Sequence, residues 1–268
     1  MAQDWNKGRQ PIRVILFGGG PTLERGVKQF VSLLEDHPEI DFLGGFCQSE
    51  GHTFQHIFSD LWRRRRLLAF PLLISGFLSN AGHFISDPFQ ETKLRRKFNQ
   101  IASRIKFVAD IHAEAVLEGI RQLAPDLGLI YGSPILKPEL FVIPAFGTLG
   151  IHHGKLPEYR GNKTTFWAMF NGESTAGVTI QKVNEGLDTG SIVKEGQVSI
   201  GQRSYQTVWR DLEALGLHLY IQAILEVKNG TAIYRKPSGE KGRLYRNPKP
   251  KDFFVFWIKQ MKKRNSRT

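Results

Sequence analysis

The feature that most narrows what this chain can fold into is its rhythm of short apolar runs, glycine- and proline-bearing turns, and helix-spaced stretches. Ile12 to Phe17 is apolar and β-branched, Gly18, Gly19, Gly20 and Pro21 follow, and Leu23 to Leu34 has helical spacing. A second strand, Asp41 to Gln48, comes after Pro38. Strand, turn, helix and strand in that order predict the first βαβ unit of a parallel, doubly wound sheet. The alternation resumes with a strand at Ile105 to Val108, a helix from Ala113 to Leu123 and a strand from Leu127 to Tyr131. The turn from Gly132 to Pro138 leads to a further strand near Gly147 to His152. A helix near Thr165 to Asn171, strands near Gly177 to Val183 and Ser191 to Val198, and a long helix from Tyr205 to Lys228 complete the series. The fold class read from this pattern is α/β, with a mostly parallel sheet.

Between about Phe54 and Phe98 the rhythm breaks. Four consecutive arginines, Arg63 to Arg66, precede an apolar run from Leu67 to Leu78 that is interrupted by Pro71 and Gly76. That run falls short of the roughly 20 residues a membrane-crossing helix needs. A helical insertion at 54–98 with basic and apolar faces is expected, serving either as a lid or as an interfacial element. Residues 1–10 are polar and lack an apolar segment followed by a cleavage signal, which argues against secretion. The single cysteine, Cys47, has no partner for a disulfide or a CxxC site, so a reducing cytoplasm is the natural setting. We therefore expect a polar extension at 1–10, one domain at 11–234, and a basic C-terminal tail at 235–268.

The charge supports that last boundary. Of the formal +12, twelve Lys or Arg against Glu240 and Asp252 lie from Arg235 onward, an excess of ten positive charges. Such a tail, beside Phe253, Phe254, Phe256 and Trp257, suits an anionic membrane surface, a nucleic acid or a phosphorylated substrate. A solvated helix with one face docked on the domain explains it equally well.

Two segments stand out for chemistry. The glycines at 18–20 lack the Lys-Ser/Thr ending of a phosphate-binding loop and the third glycine of a dinucleotide fingerprint, so they are read as a tight turn. Gly147 to Gly161, reading GTLGIHHGKLPEYRG, places His152 and His153 at the carboxyl end of a parallel strand, where ligands of open α/β sheets collect. Lys155 and Arg160 in the loop that follows can bind an anionic or hydroxyl-rich substrate. Further on, Glu185-Gly186-Leu187-Asp188-Thr189-Gly190 brackets a carboxylate with glycines in a tight loop. A histidine and a carboxylate on two loops at one end of a sheet can make an acid/base pair, the carboxylate orienting the imidazole.

The same run resembles the signature region of the folate-dependent formyltransferase family. His152, Leu156-Pro157, Tyr159-Arg160-Gly161, Trp167-Ala168, Asn171-Gly172, Gly177-Val178-Thr179 and Gly186-Leu187-Asp188-Thr189-Gly190 stand in the family's order and spacing. The resemblance implies a Rossmann-like formyltransferase fold, 10-formyltetrahydrofolate as co-substrate and no metal. It implies that the pterin lies against the segment of Tyr131, Pro134, Ile135 and Leu136 and the loop carrying Gly186 and Leu187, with Lys155, Tyr159 and Arg160 facing the acceptor. His152 then holds the oxyanion and handles protons, with Asp188 as its carboxylate partner. The family's third catalytic residue, an asparagine, is matched here by Gly150, which has no side-chain donor. His153, Asn162 and Lys163 are the neighbours expected to compensate.

The function these features predict is formyl transfer to a primary amine, an amino sugar on a nucleotide or lipid carrier, in the cytoplasm. Contact with the inner membrane surface through 63–78 or 235–268 is compatible with it. Methionyl-tRNA and glycinamide ribonucleotide are the alternative acceptors. Transfer-RNA formyltransferases usually add a C-terminal domain of about a hundred residues, whereas the tail here is short. A reading from another class, a folate- or sugar-binding protein that lost its chemistry with the asparagine, rests on Gly150 and is opposed by the intact His152 and Asp188.

Overall fold

A computed structural model describes residues 10–19, 25–49, 98–238 and 242–265 of the chain. The insertion expected at 54–98, and with it the apolar run at 67–78, lies outside these residues, as does nearly all of the polar extension.

Seven strands form one sheet in the order β3-β2-β1-β4-β5-β7-β8. The first five are β1 (Ile12–Gly19), β2 (Ile40–Gln48), β3 (Ile105–Val108), β4 (Leu127–Tyr131) and β5 (Thr148–His152). All neighbouring pairs among them run parallel. The last two, β7 (Thr175–Lys182) and β8 (Ser191–Ser199), turn back antiparallel beside β5. Chain order reverses between β1 and β4, and a switch point of this kind opens a crevice at the carboxyl ends of the strands.

Alternate residues of each strand feed two cores. On one face Leu127, Leu129, Tyr131 and Leu149 pack under helices α1 (Arg25–Asp36) and α5 (Tyr205–Lys228). On the other, Ile15, Phe17 and Phe46 meet helix α2 (Glu114–Leu123) and the single turn α3 (Pro138–Phe141). Phe30 of α1 stacks on Tyr220 of α5 at 4.6 Å between ring centroids, closing the first core. Burial pushes the Cys47 thiol up to about 11, so it serves as core packing rather than as a nucleophile. Gly19 is demanded by proximity: a Cβ there would lie 2.9 Å from the Gly132 carbonyl and 3.0 Å from Pro134 Cδ. The turn after β4 therefore sits directly on the end of β1.

The segment from Arg235, expected as a tail, is partly built into the fold. Strand β9 (Arg243–Tyr245) pairs in parallel with β6 (Tyr159–Gly161) in a small second sheet. Helix α6 (Pro250–Asn265) sets Phe253 and Phe256 against Phe166 of helix α4 (Thr164–Asn171). Of the two readings of the basic segment, the docked helix describes these contacts. Among the described residues no helix is long and apolar enough to cross a membrane.

One hydroxyl joins the first core to the strands that carry the site. Tyr220 is fully buried, accepts the Ile130 N–H at 3.0 Å and donates to the Leu149 carbonyl at 2.7 Å. Tyr220→Phe keeps the ring and strands both groups, so unfolding in urea should show a loss of about 1–3 kcal/mol. An unchanged midpoint would mean that the hydroxyl does not join helix to sheet.

Candidate functional site

His152 ends β5 and Asp188 lies in the turn between β7 and β8, and the fold brings them together in a nearly closed setting. Their side chains are 9% and 13% exposed, and Nδ1 lies 3.5 Å from Oδ1. The other imidazole nitrogen, Nε2, is 2.7 Å from the Tyr159 carbonyl, which can only accept, so Nε2 carries a proton. Asp188 is asymmetric. Its Oδ2 accepts the Gly161 N–H at 2.7 Å, a firm bond, whereas Oδ1 faces His152 at 3.5 Å and the Gln181 amide at 3.3 Å. The backbone of Asp188 has a φ of 50°, a left-handed conformation that non-glycine residues adopt only where the surroundings enforce it. One carboxylate oxygen is thus pinned and the other left loosely held between two nitrogens.

The turn that presents Asp188 is over-determined. Asn184 Oδ1 accepts from the Gly186 N–H at 3.1 Å and from the Thr189 hydroxyl at 2.9 Å, and its amide donates to the Thr189 carbonyl. Arg160 supports the turn from below: its guanidinium donates to the Leu187 carbonyl at 3.1 and 2.7 Å and reaches the Gly242 carbonyl at 3.5 Å. Gly161 must lack a side chain, because its φ is +93° and a Cβ would collide with the Tyr245 carbonyl of β9.

The two adjacent histidines point to opposite faces of the sheet. His153 faces the α1 and α5 side, with Nε2 2.6 Å from Glu213 Oε2, while the Tyr131 hydroxyl donates to the same carboxyl group. Burial drives the His153 imidazole toward its neutral form, with the adjacent His152 acting in the same sense. His153 therefore does not stand beside Gly150 on the His152 face. Asn162 and Lys163 are exposed and make no hydrogen bond or ion pair to His152 or Asp188.

Two cavities are lined by residues close to the pair in sequence, His153 in one and Gly186 in the other. One, of about 460 Å³, is lined by Phe141, Val142, Val183, Asn184 and Gly186 among others. Val183, in its wall, also lies 3.5 Å from where a Cβ at position 150 would stand. Ile135, Val142 and Leu187 are exposed by 74, 62 and 42%, an unusual outlay of apolar surface beside a cleft. Among the residues expected to hold a pterin, Ile135, Gly186 and Leu187 are thus accessible and Pro134 is half-buried against Gly19. Tyr131 and Leu136 instead pack into the two cores. The other cavity, of about 260 Å³, has a polar wall that includes Lys155, Glu158, Thr165 and Glu173. Lys155 pairs with Glu158 at 2.9 Å, and that bond holds the ammonium above its ordinary range. Tyr159 is turned inward, its hydroxyl donating to Glu173 at 2.7 Å and its ring stacked on Tyr245. Among the described residues no group of three or more His, Cys, Asp or Glu side chains is placed to hold a metal ion.

The sequence pattern did not single out Gln181, Glu213 or the inward role of Arg160. The signal for Gln181 was available: a polar residue amid the apolar run of β7 on the strand leading to Asp188.

Comparison with known proteins gives a consistent set of matches. The formyl transferase family model covers residues 91–224, half of the 268. The methionyl-tRNA formyltransferase of Thermodesulfovibrio yellowstonii is 33% identical over 127 residues, which are 46% of this chain and 41% of that protein. That of Anaeromyxobacter dehalogenans is 29% identical over 182 residues, 65% of this chain and 58% of that protein. The chain thus spans about two to three fifths of the length of these curated relatives. Among solved structures, glycinamide ribonucleotide transformylase 1 from Symbiobacterium toebii aligns with a TM-score of 0.56 at 15% identity, over 86% of this chain and 95% of its own. A Helicobacter canadensis N-formyltransferase in complex with folinic acid and dTDP-3-aminofucose aligns at 0.54 and 18%, over 87% and 70%. These two share the fold.

Arg160→Met should cost about 1–3 kcal/mol by leaving the part-buried Leu187 carbonyl without its donor and should raise hydrogen exchange at Gly186 to Gly190. Protection that stays unchanged in that loop would show that the guanidinium does not support it.

Proposed function

This chain belongs to the formyl transferase family, and we propose that it moves a formyl group from 10-formyltetrahydrofolate to a primary amine, an amino sugar on a nucleotide carrier. The observation that carries the reading is the loosely held Asp188 Oδ1, set 3.5 Å from His152 Nδ1 at the carboxyl end of the parallel strands. At that separation, longer than a formed N–H···O bond, the carboxylate oxygen is not tied up by the imidazole and stays available to a reacting atom that approaches both groups from one side.

Formyl transfer asks three things of the protein. The amine nitrogen must reach the formyl carbon, charge collecting on the formyl oxygen must meet hydrogen-bond donors, and the proton lost by the amine must be carried as folate N10 regains one. Asp188 Oδ1 is placed to accept the amine proton, because its partner Oδ2 stays anchored on Gly161. His152 stands beside it, Nε2–H on the Tyr159 carbonyl and Nδ1 toward Oδ1, so a proton on Nδ1 as well gives it a donor for the formyl oxygen. The cleft of about 460 Å³ is within the range of small-molecule sites, and its exposed Val142 and neighbouring Leu187 suit a flat heterocycle. The polar cavity at Lys155 and Glu173 suits a hydroxyl-rich acceptor. The folinic acid and dTDP-3-aminofucose bound to the Helicobacter protein support the same pair of ligand classes.

Transfer RNA is the second acceptor class, favoured by the curated relatives and by the ten-charge excess from Arg235 onward. Salt separates the two, since binding of a polyanion through several Lys or Arg weakens steeply from 50 to 200 mM salt. The cytoplasm is the setting we assign. The exposed Phe254 and Trp257 of α6 mark where an anionic membrane surface would meet the protein.

The test is release of tetrahydrofolate, followed by absorbance, from 10-formyltetrahydrofolate with dTDP-3-aminofucose. Asp188→Asn should lower kcat by about 10²- to 10⁴-fold while folate binding persists. Tight folate binding by the unaltered chain with no turnover of any amine would instead make it a binding protein.

A further inference from the structure

Gly150 and Gln181 are paired across β5 and β7, and Thr179 is paired with His152 two residues along. Side chains alternate across a strand and directly paired residues share a face, so Gln181 lies on the same face as His152. Its side chain is buried, with the residue 7% exposed, and a buried carboxamide needs partners. Gly190 fixes which way it points. The Gly190 N–H can only donate and meets Oε1 at 3.0 Å, so the NH2 group must face the other way, toward Asp188 Oδ1 at 3.3 Å. That contact uses one amide proton. The second has no acceptor among the described residues.

Position 150, opposite, is bare but not closed. A Cβ built there would meet Val183 Cγ2 at 3.5 Å and Ile130 Cβ at 3.7 Å, ordinary contact distances in a strand conformation any residue can adopt. The backbone has room for a side chain that the sequence does not supply, and the nearest amide on that face comes from the neighbouring strand.

We infer that Gln181 is the amide donor of the reaction centre, its second Nε2–H holding the formyl oxygen as charge collects there. This rests on the formyl-transfer reading above. In this chain the duty that the family resemblance gives to position 150 has moved across the strand pair to a longer side chain. His152 Nδ1 at 3.5 Å and Gln181 Nε2 at 3.3 Å stand at the same oxygen, Asp188 Oδ1, and His152 adds a second donor when Nδ1 also carries a proton. The anchoring bond from Gly190 makes the donor pre-oriented, which is what a hole for developing charge requires.

Four proteins test this: the parent, Gln181→Met, Gly150→Asn and the double variant, each assayed for kcat and KM with 10-formyltetrahydrofolate and dTDP-3-aminofucose. Met keeps the length and burial of Gln but has no N–H. Loss of one donor should lower kcat of Gln181→Met about 10²- to 10³-fold with a much smaller change in KM. Gly150→Asn in that background restores an amide and should recover at least about tenfold, whereas alone it should change kcat by less than about threefold because a donor is already present. The inference fails if Gln181→Met keeps the parent's kcat, or if the double variant shows no recovery. It also fails if Gly150→Asn alone raises kcat by about a hundredfold, which would mean that the site had lacked a donor. Should Gln181→Met not fold, the Gly150→Asn result decides by itself. A parent that releases no tetrahydrofolate counts against formyl transfer as such, a result distinct from an active parent matched by Gln181→Met.

Discussion

The bond from the Gly161 N–H to Asp188 Oδ2, 2.7 Å long, is the interaction on which the site depends. It joins the end of β6 to the turn between β7 and β8, and so sets the distance between imidazole and carboxylate. A carboxylate held by one oxygen presents the other without needing to reorganise, which is the condition for fixed charge to act on a reacting atom. The same bond explains why the C-terminal segment matters to the chemistry. Gly161 can occupy its left-handed conformation only because it has no Cβ, and the space a Cβ would fill is taken by the Tyr245 carbonyl of β9. Packing of β9 thereby reaches the Asp188 carboxylate through backbone alone.

Two histidines in succession divide between two environments because a strand sends alternate side chains to opposite faces. His152 meets a backbone carbonyl and a partly accessible carboxylate. His153 enters the core under α5, where Glu213 and Tyr131 complete a buried polar cluster and Trp209 lies 4.5 Å from its ring. Chemistry and packing are thus adjacent in sequence yet separated by the thickness of the sheet.

Much of this was legible in the sequence. The βαβ opening, the parallel sheet and the long helix Tyr205–Lys228 followed from periodicity, since each element buries one face and leaves its period in the residue pattern. His152 and Asp188 were legible as a pair because glycine-bracketed loops at strand ends leave few places for their side chains to go. Partners that depend on long-range contacts were not legible. Arg160 reads as a donor to a substrate, but its guanidinium is spent on the Leu187 and Gly242 carbonyls, and Tyr159, which lines the polar cavity, stacks on Tyr245 of β9, some 80 residues later. Gln181 could be noticed as a polar residue on β7, but its cross-strand register with Gly150 is a long-range feature that no local pattern encodes. The stretch from Arg235 showed its charge plainly, yet charge alone does not reveal that Phe253 and Phe256 seat on Phe166.

The central claim is that His152 and Asp188 form a reaction centre served by a folate. Histidine-selective NMR of the full chain during a folinic acid titration addresses it directly. The account predicts that the His152 ring signals shift and saturate with the bound fraction while those of His37, just past α1, and of His218, exposed on α5, stay in place. Folate binding that leaves the His152 signals unmoved, or no binding at any concentration, would contradict it.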